Sequence, residues 1–127
     1  HGSHSSNGKA LAQVIKNVNM ENCGTLPDFG NFCMRRKNNS LYDGQCELEY
    51  DKYQGMRDLM PFAKAVSAKS YDFNKKGEET TIDFKRIMNI IKEFKYEGFL
   101  GIEYEGNTLS EIEGIELTKK LIQKYNY

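Results

Sequence analysis

The chain has 127 residues, a length that fits one domain with a modest core. Eighteen basic residues balance eighteen acidic ones, and the formal net charge of +0 offers no bulk attraction to nucleic acid or to an anionic membrane. Hydrophobic residues at 39% and charged residues at 28% exclude extended disorder, and no apolar run approaches the roughly 20 residues that span a bilayer.

Residues His1–Ser6 have the composition of a cleaved purification-tag scar. Lys9–Asn19 reads as a helix, because Leu11, Val14, Ile15 and Val18 recur at helical spacing and Ser6 or Asn7 can cap its start. Residues 22–32 are too short and too rich in Gly and Pro for a helix, and suit a buried strand running into a loop. Cys33–Tyr50 is polar and reads as a long surface loop, a type often functional. Its basic run Arg35–Lys37 has no interleaved aromatics and reads as solvated rather than as a nucleic-acid contact.

A second helix is expected over Asp51–Ala63, with Met56, Leu59, Met60 and Ala63 facing inward. Ala65–Phe73 reads as a second strand and residues 74–79 as a turn. Asp83 can cap a third helix carrying Phe84, Ile87, Met88 and Ile91. Phe99–Gly106 reads as a third strand, with Gly101, Glu103 and Glu105 on one face and Leu100, Ile102 and Tyr104 on the other. Ser110 and Glu113 form a capping box opening the last helix. Strands alternating with helices of this size predict a parallel sheet, from a small doubly wound fold or from a piece of a barrel.

The cysteines Cys23, Cys33 and Cys46 are odd in number and lack C-x-x-C spacing. They read as three reduced thiols, and with them goes an expectation of a cytoplasmic protein.

In parallel α/β folds chemistry gathers at the C-terminal ends of strands. Here those ends carry Asp28, the run Lys69–Asp72, and Glu103 with Glu105. A glutamate turned inward at Glu103 needs a counter-charge or a metal. Asp28 and Glu103 together make a reasonable half of a hard-metal site, and either can serve as a general base if its proton affinity is tuned. The bland alternative for each is a capping aspartate or a solvated glutamate. No P-loop, dinucleotide fingerprint, zinc-protease or nucleophile-elbow motif is present.

The runs Gly24–Phe32 (GTLPDFGNF), Met60–Lys69 (MPFAKAVSAK) and Phe99–Gly106 (FLGIEYEG) together resemble the sugar phosphate isomerase/epimerase family of xylose-isomerase-like barrels. The resemblance implies that residues 1–127 are the C-terminal portion of a (β/α)8 barrel: its last three β-α units and the helix before them. The N-terminal half would then be a missing partner, and the isolated piece is expected to be poorly folded, self-associating and inactive. It also implies a small-molecule sugar substrate, no nucleic-acid or membrane partner, and room for a homo-oligomer.

The family typically binds one divalent metal, Mn²⁺, Mg²⁺, Co²⁺ or Zn²⁺. On that pattern Asp28 and Glu103 are metal ligands and Glu103 doubles as the catalytic acid/base for proton transfer beside a carbonyl, through an enediolate. His1 falls near the substrate, since its opening residues resemble the family's segment after an upstream glutamate ligand, and Lys69 is placed on an oxygen or phosphate of a sugar or sugar-phosphate substrate, or in an ion pair with Asp28 or Glu103. The family's histidine ligand should lie within Val66–Asp72, where there is none. That departure keeps a catalytically inactive binding or structural subunit in view. An endonuclease IV-like hydrolase needs several histidines and fits less well.

Overall fold

The computed structural model describes residues 3–125. A 3-10 turn, Ser3–Ser6, leads into helix α1 (Gly8–Val18), whose N-cap Asn7 accepts from the Ala10 amide. Helix α2 (Lys52–Leu59) is capped by Asp51 and passes into a 3-10 turn, Met60–Phe62, where Pro61 cannot continue the α-helical hydrogen bonding. Helices α3 (Phe84–Glu93) and α4 (Glu111–Tyr125) begin where expected. Asp83 caps the first, and the Ser110–Glu113 box closes on the second.

The barrel expectation is overturned. Among the described residues the strands form two sheets of two: β1 (Cys33–Arg36) antiparallel to β2 (Cys46–Glu49), and β3 (Val66–Ser70) parallel to β4 (Leu100–Tyr104). Three β-α units on a continuous sheet are not what the chain builds. The expected first strand at residues 22–32 is irregular and touches the second sheet only through isolated bridges, Thr25 to Ala63 and Asp28 to Ser67. Pro27 removes one ladder donor there, and the Asp28 side chain bends the chain by accepting from the Gly30 and Asn31 amides.

The loop expected at Cys33–Tyr50 is instead the β1–β2 hairpin. It is closed by a disulfide between Cys33 and Cys46, whose Cα atoms are 5.8 Å apart. The expectation of three reduced thiols therefore fails for two of them, and with it goes the thiol-based reason for a cytoplasmic placement. Cys23 is free.

The core lies under β3 and is built from Phe29, Phe32, Met56, Met60, Val66, Ala68 and the inner face of α3: Phe84, Ile87, Met88, Ile90 and Ile91. Every residue of β3 is buried, as expected for a strand covered on both faces. Helix α1 departs from its pattern, because Val14 and Val18 are exposed and its one buried residue is Gly8. That glycine lets α1 cross α2 closely: a Cβ on it would lie 2.7 Å from the Gly55 Cα. Gly55 is in turn covered by the Phe32 ring, with no room for a side chain. On α4 the buried stripe is Gly114, Thr118 and Leu121, not the isoleucines: Ile115 is exposed, while Thr118 meets Ser70 hydroxyl to hydroxyl at 2.6 Å.

Candidate active site

The irregular segment after Thr25 is fixed to β3 by backbone bonds: the Ser67 amide donates to the Pro27 carbonyl (2.8 Å), and the Phe29 amide to the Ser67 carbonyl (3.1 Å). This places Asp28 beside Ser67. The parallel register sets Ser67 against Gly101 and Lys69 against Glu103. Gly101 offers no side chain, so Ser67 Oγ reaches past it and donates to Glu103 Oε2 at 3.0 Å. Asp28 and Glu103, 75 positions apart in the chain (103 minus 28), thus converge on one serine.

Asp28 is buried at 6% exposure. Its Oδ1 accepts from the Gly30 and Asn31 amides at 2.8 and 2.9 Å, while its buried Oδ2 has no hydrogen-bond partner among the described residues. The single proton of the Ser67 hydroxyl is aimed at Glu103, which accounts for the unmet oxygen next to it. Burial pushes the Asp28 carboxyl above the usual carboxylate range, against the opposing pull of Ser67, the Gly30 amide and Lys69. Glu103 moves the other way. Burial would raise it, but the Lys69 charge and the hydrogen bond from Ser67 hold it below its ordinary value. Two neighbouring carboxyls whose proton affinities are driven apart are equipped for distinct acid and base roles.

Lys69 is completely buried. Its ammonium group is 2.9 Å from Glu105 Oε1, 3.5 Å from Glu103 Oε1, and donates to Asn31 Oδ1 at 3.0 Å. The closer ion pair is with Glu105, two residues beyond Glu103 on the same strand face. Asn31 as the third acceptor has no sequence signal beyond its place in the Gly24–Phe32 run. Tyr71 follows Lys69 on the same side. Burial, reinforced by the Glu105 and Asp28 charges, pushes its phenol up to about 12, so it stays a hydrogen-bond donor at neutral pH. Gly30 makes room for both: a Cβ there would lie 2.7 Å from Tyr71 Oη and 3.0 Å from Lys69 Cδ.

Asp28, Asn31, Ser67, Glu103 and Ser5 give the polar side of a cavity of about 360 Å³, and Leu11, Leu26, Phe32 and Leu59 the apolar side. A small mixed pocket of this kind suits a ligand with hydroxyls on one face and C–H groups on the other. His1 lies outside the described residues.

Asp28 Oδ2 and the Glu103 carboxylate are hard oxygen donors of the sort that hold divalent cations. Among the described residues, however, no group of three or more His, Cys, Asp or Glu side chains is placed to hold a metal ion.

No family model matches the chain. Over 66 residues, 50% of its length, it is 38% identical to the C-glycoside deglycosidase alpha subunit of Arthrobacter globiformis. The matched stretch is 19% of that protein, so the chain spans about a fifth of the relative's length. The likeness is thus to one part of a sugar-modifying enzyme subunit. Among the described residues no helix is long and apolar enough to cross a membrane.

Proposed function

We propose that the chain contributes part of the active site of a carbohydrate-converting enzyme, with Glu103 moving a proton beside a sugar carbonyl and Asp28 anchoring the substrate side. The observation that supports this reading is the convergence of the two carboxyls on Ser67 at one cavity, with Asp28 Oδ2 buried and unmet. Glu103, held below its usual value, is ionised at neutral pH and acts first as the base. Ser67 and Lys69 fix its orientation.

Asp28 and Glu103 are proposed as two ligands of a divalent ion, Mn²⁺, Mg²⁺, Co²⁺ or Zn²⁺, with the remaining ligands drawn from outside the described residues and His1 near the substrate. Asp28 would hold the ion as the carboxylate, against the burial that raises its proton affinity. When bound, such an ion supplies Lewis-acid polarisation of the carbonyl oxygen. The reaction class is isomerisation or epimerisation, and the relative's status as an alpha subunit supports a partner subunit for the whole protein.

The test uses the full-length protein. Asp28→Ala should abolish stoichiometric metal, and Glu103→Gln should cut solvent-deuterium incorporation at the carbon next to the carbonyl by about 10²–10⁴-fold while sugar binding persists. Metal content and exchange unchanged in both variants would defeat the proposal. A non-catalytic sugar-binding subunit is the second reading, favoured by the lack of a third ligand among the described residues. It predicts sugar binding with neither metal nor exchange in the wild type.

A further inference from the structure

The β1–β2 hairpin depends on its disulfide. Its strands are four residues each, and the pairing slips between Cys33 and Arg35 and again between Arg35 and Arg36. The Arg35–Glu47 ion pair is exposed and adds little. A two-stranded ribbon this short and irregular is marginal in water. The Cys33–Cys46 bond closes it across 13 positions.

The two sulfurs are placed unequally. Cys33 is 7% exposed, while Cys46 is half-buried among exposed neighbours. Cys46 is therefore the sulfur that an attacking thiolate can reach. Acceptors for the reduced form are already in place: Cys33 Sγ is 3.4 Å from the Arg35 carbonyl oxygen, and Cys46 Sγ is 3.4 Å from the Leu48 carbonyl oxygen. Neither thiol is stranded by reduction.

Cys33 also ends one wall of the carboxyl cavity. Phe32, the residue before it, lines that cavity, is buried and covers Gly55 of α2. Asn31 accepts from Lys69 through its side chain and donates its amide to Asp28 Oδ1. From the returning strand the Tyr50 amide donates to the Phe32 carbonyl at 2.9 Å, next to Glu49, which faces Cys33 in the register. The disulfide thus clamps the chain directly beside the residues that shape the cavity.

We propose that the Cys33–Cys46 disulfide is a redox switch on the Asp28–Glu103 cavity: oxidised, it fixes Phe32 and Asn31 in the wall; reduced, it lets the hairpin open and the wall loosen. The reductant is a dithiol. Its thiolate attacks Cys46 Sγ, and the Cys33 sulfur leaves as a thiolate that takes a proton. The dithiol's second sulfur then closes on its first and releases Cys46 as a thiol. Two electrons and two protons pass to the protein, and the dithiol ends as a disulfide.

The experiment is hydrogen exchange of the full-length protein, read by mass spectrometry before reduced dithiothreitol, in it, and after its removal in air. Alkylation maps the free thiols and circular dichroism reports the fold. The expected result is that Cys33 and Cys46 become alkylated only in dithiothreitol, with circular dichroism retained. Exchange then rises by on the order of 10²-fold at the Tyr50 amide, rises over residues 28–33, stays unchanged in α3, and reverts in air. Cys33→Ser plus Cys46→Ser exchanges as reduced wild type does with or without dithiothreitol, and Cys23→Ser, which removes the free thiol, behaves as wild type. Should the double variant fail to fold, the reduced wild type still decides. Thiols 33 and 46 that are alkylated before reduction, or that resist it in the folded protein, overturn the proposal. So does reduction that leaves exchange over residues 28–33 as it was, or that unfolds α3 as well. Neither readout uses a sugar, so the carbohydrate reading and the switch stand or fall separately.

Discussion

Replacing Lys69 with methionine tests the electrostatics of the site most directly. Methionine keeps the length of the buried stem and removes the ammonium group. The lost contacts are ion pairs to Glu105 at 2.9 Å and Glu103 at 3.5 Å and a hydrogen bond to Asn31. Breaking a fully buried pair costs about 3–5 kcal/mol, whereas exposed pairs are worth about 0–1 kcal/mol. Here the lysine is buried but the Glu103 and Glu105 side chains are 43% and 42% exposed, so both carboxylates can rehydrate. The expected loss at neutral pH is therefore intermediate, about 2 kcal/mol.

The pH dependence follows from Glu103. Its folded value is lowered, so it stabilises the fold above its unfolded value of 4.5, and that contribution is lost as pH falls through the folded one. Removing Lys69 removes the main charge that lowers it. The difference between wild type and Lys69→Met in urea unfolding should thus shrink on acidification below about pH 4.5 as Glu103 is protonated. A difference that is constant with pH, or a variant more stable than wild type at neutral pH, would refute the reasoning.

Asp28→Asn should have the opposite pH signature. The folded carboxyl is raised above 3.8, so wild type loses stability as pH rises from there through the folded value. The asparagine variant should gain stability relative to wild type over that window in urea titrations, with Oδ1 still accepting from the Gly30 and Asn31 amides. Opening the hairpin with Cys33→Ser plus Cys46→Ser releases a loop of sequence separation 13. Chain entropy sets its worth at about 3 kcal/mol, read as faster hydrogen exchange at the Tyr50 amide, which donates to the Phe32 carbonyl. Gly55→Ala drives a methyl group into the Phe32 ring and should cost about 1–3 kcal/mol, read as a lowered midpoint in thermal unfolding.

Local rules written in the sequence settled the helices. Asn7, Asp51, Asp83 and Ser110 cap where their side chains can reach an amide two or three residues on, a relation that needs no tertiary partner. The polar ends of the second and third strands were legible for the same reason, since alternation places Lys69 and Glu103 before any packing is known. What the sequence left undetermined depends on contacts between distant segments. The hairpin at 33–49 hides in a polar stretch because its closing force is a disulfide between residues 13 apart, not an apolar period. Leu11, Val14, Ile15 and Val18 spell a buried face, yet close approach at Gly8 and Gly55 turns α1 so that two of them stay in solvent. The irregular run at Asp28 reads as a strand by composition, but its side chain satisfies local amides in place of a ladder. Chain chemistry named the acids. Only the folded register of β3 on β4, with a glycine opposite Ser67, brought them to one serine.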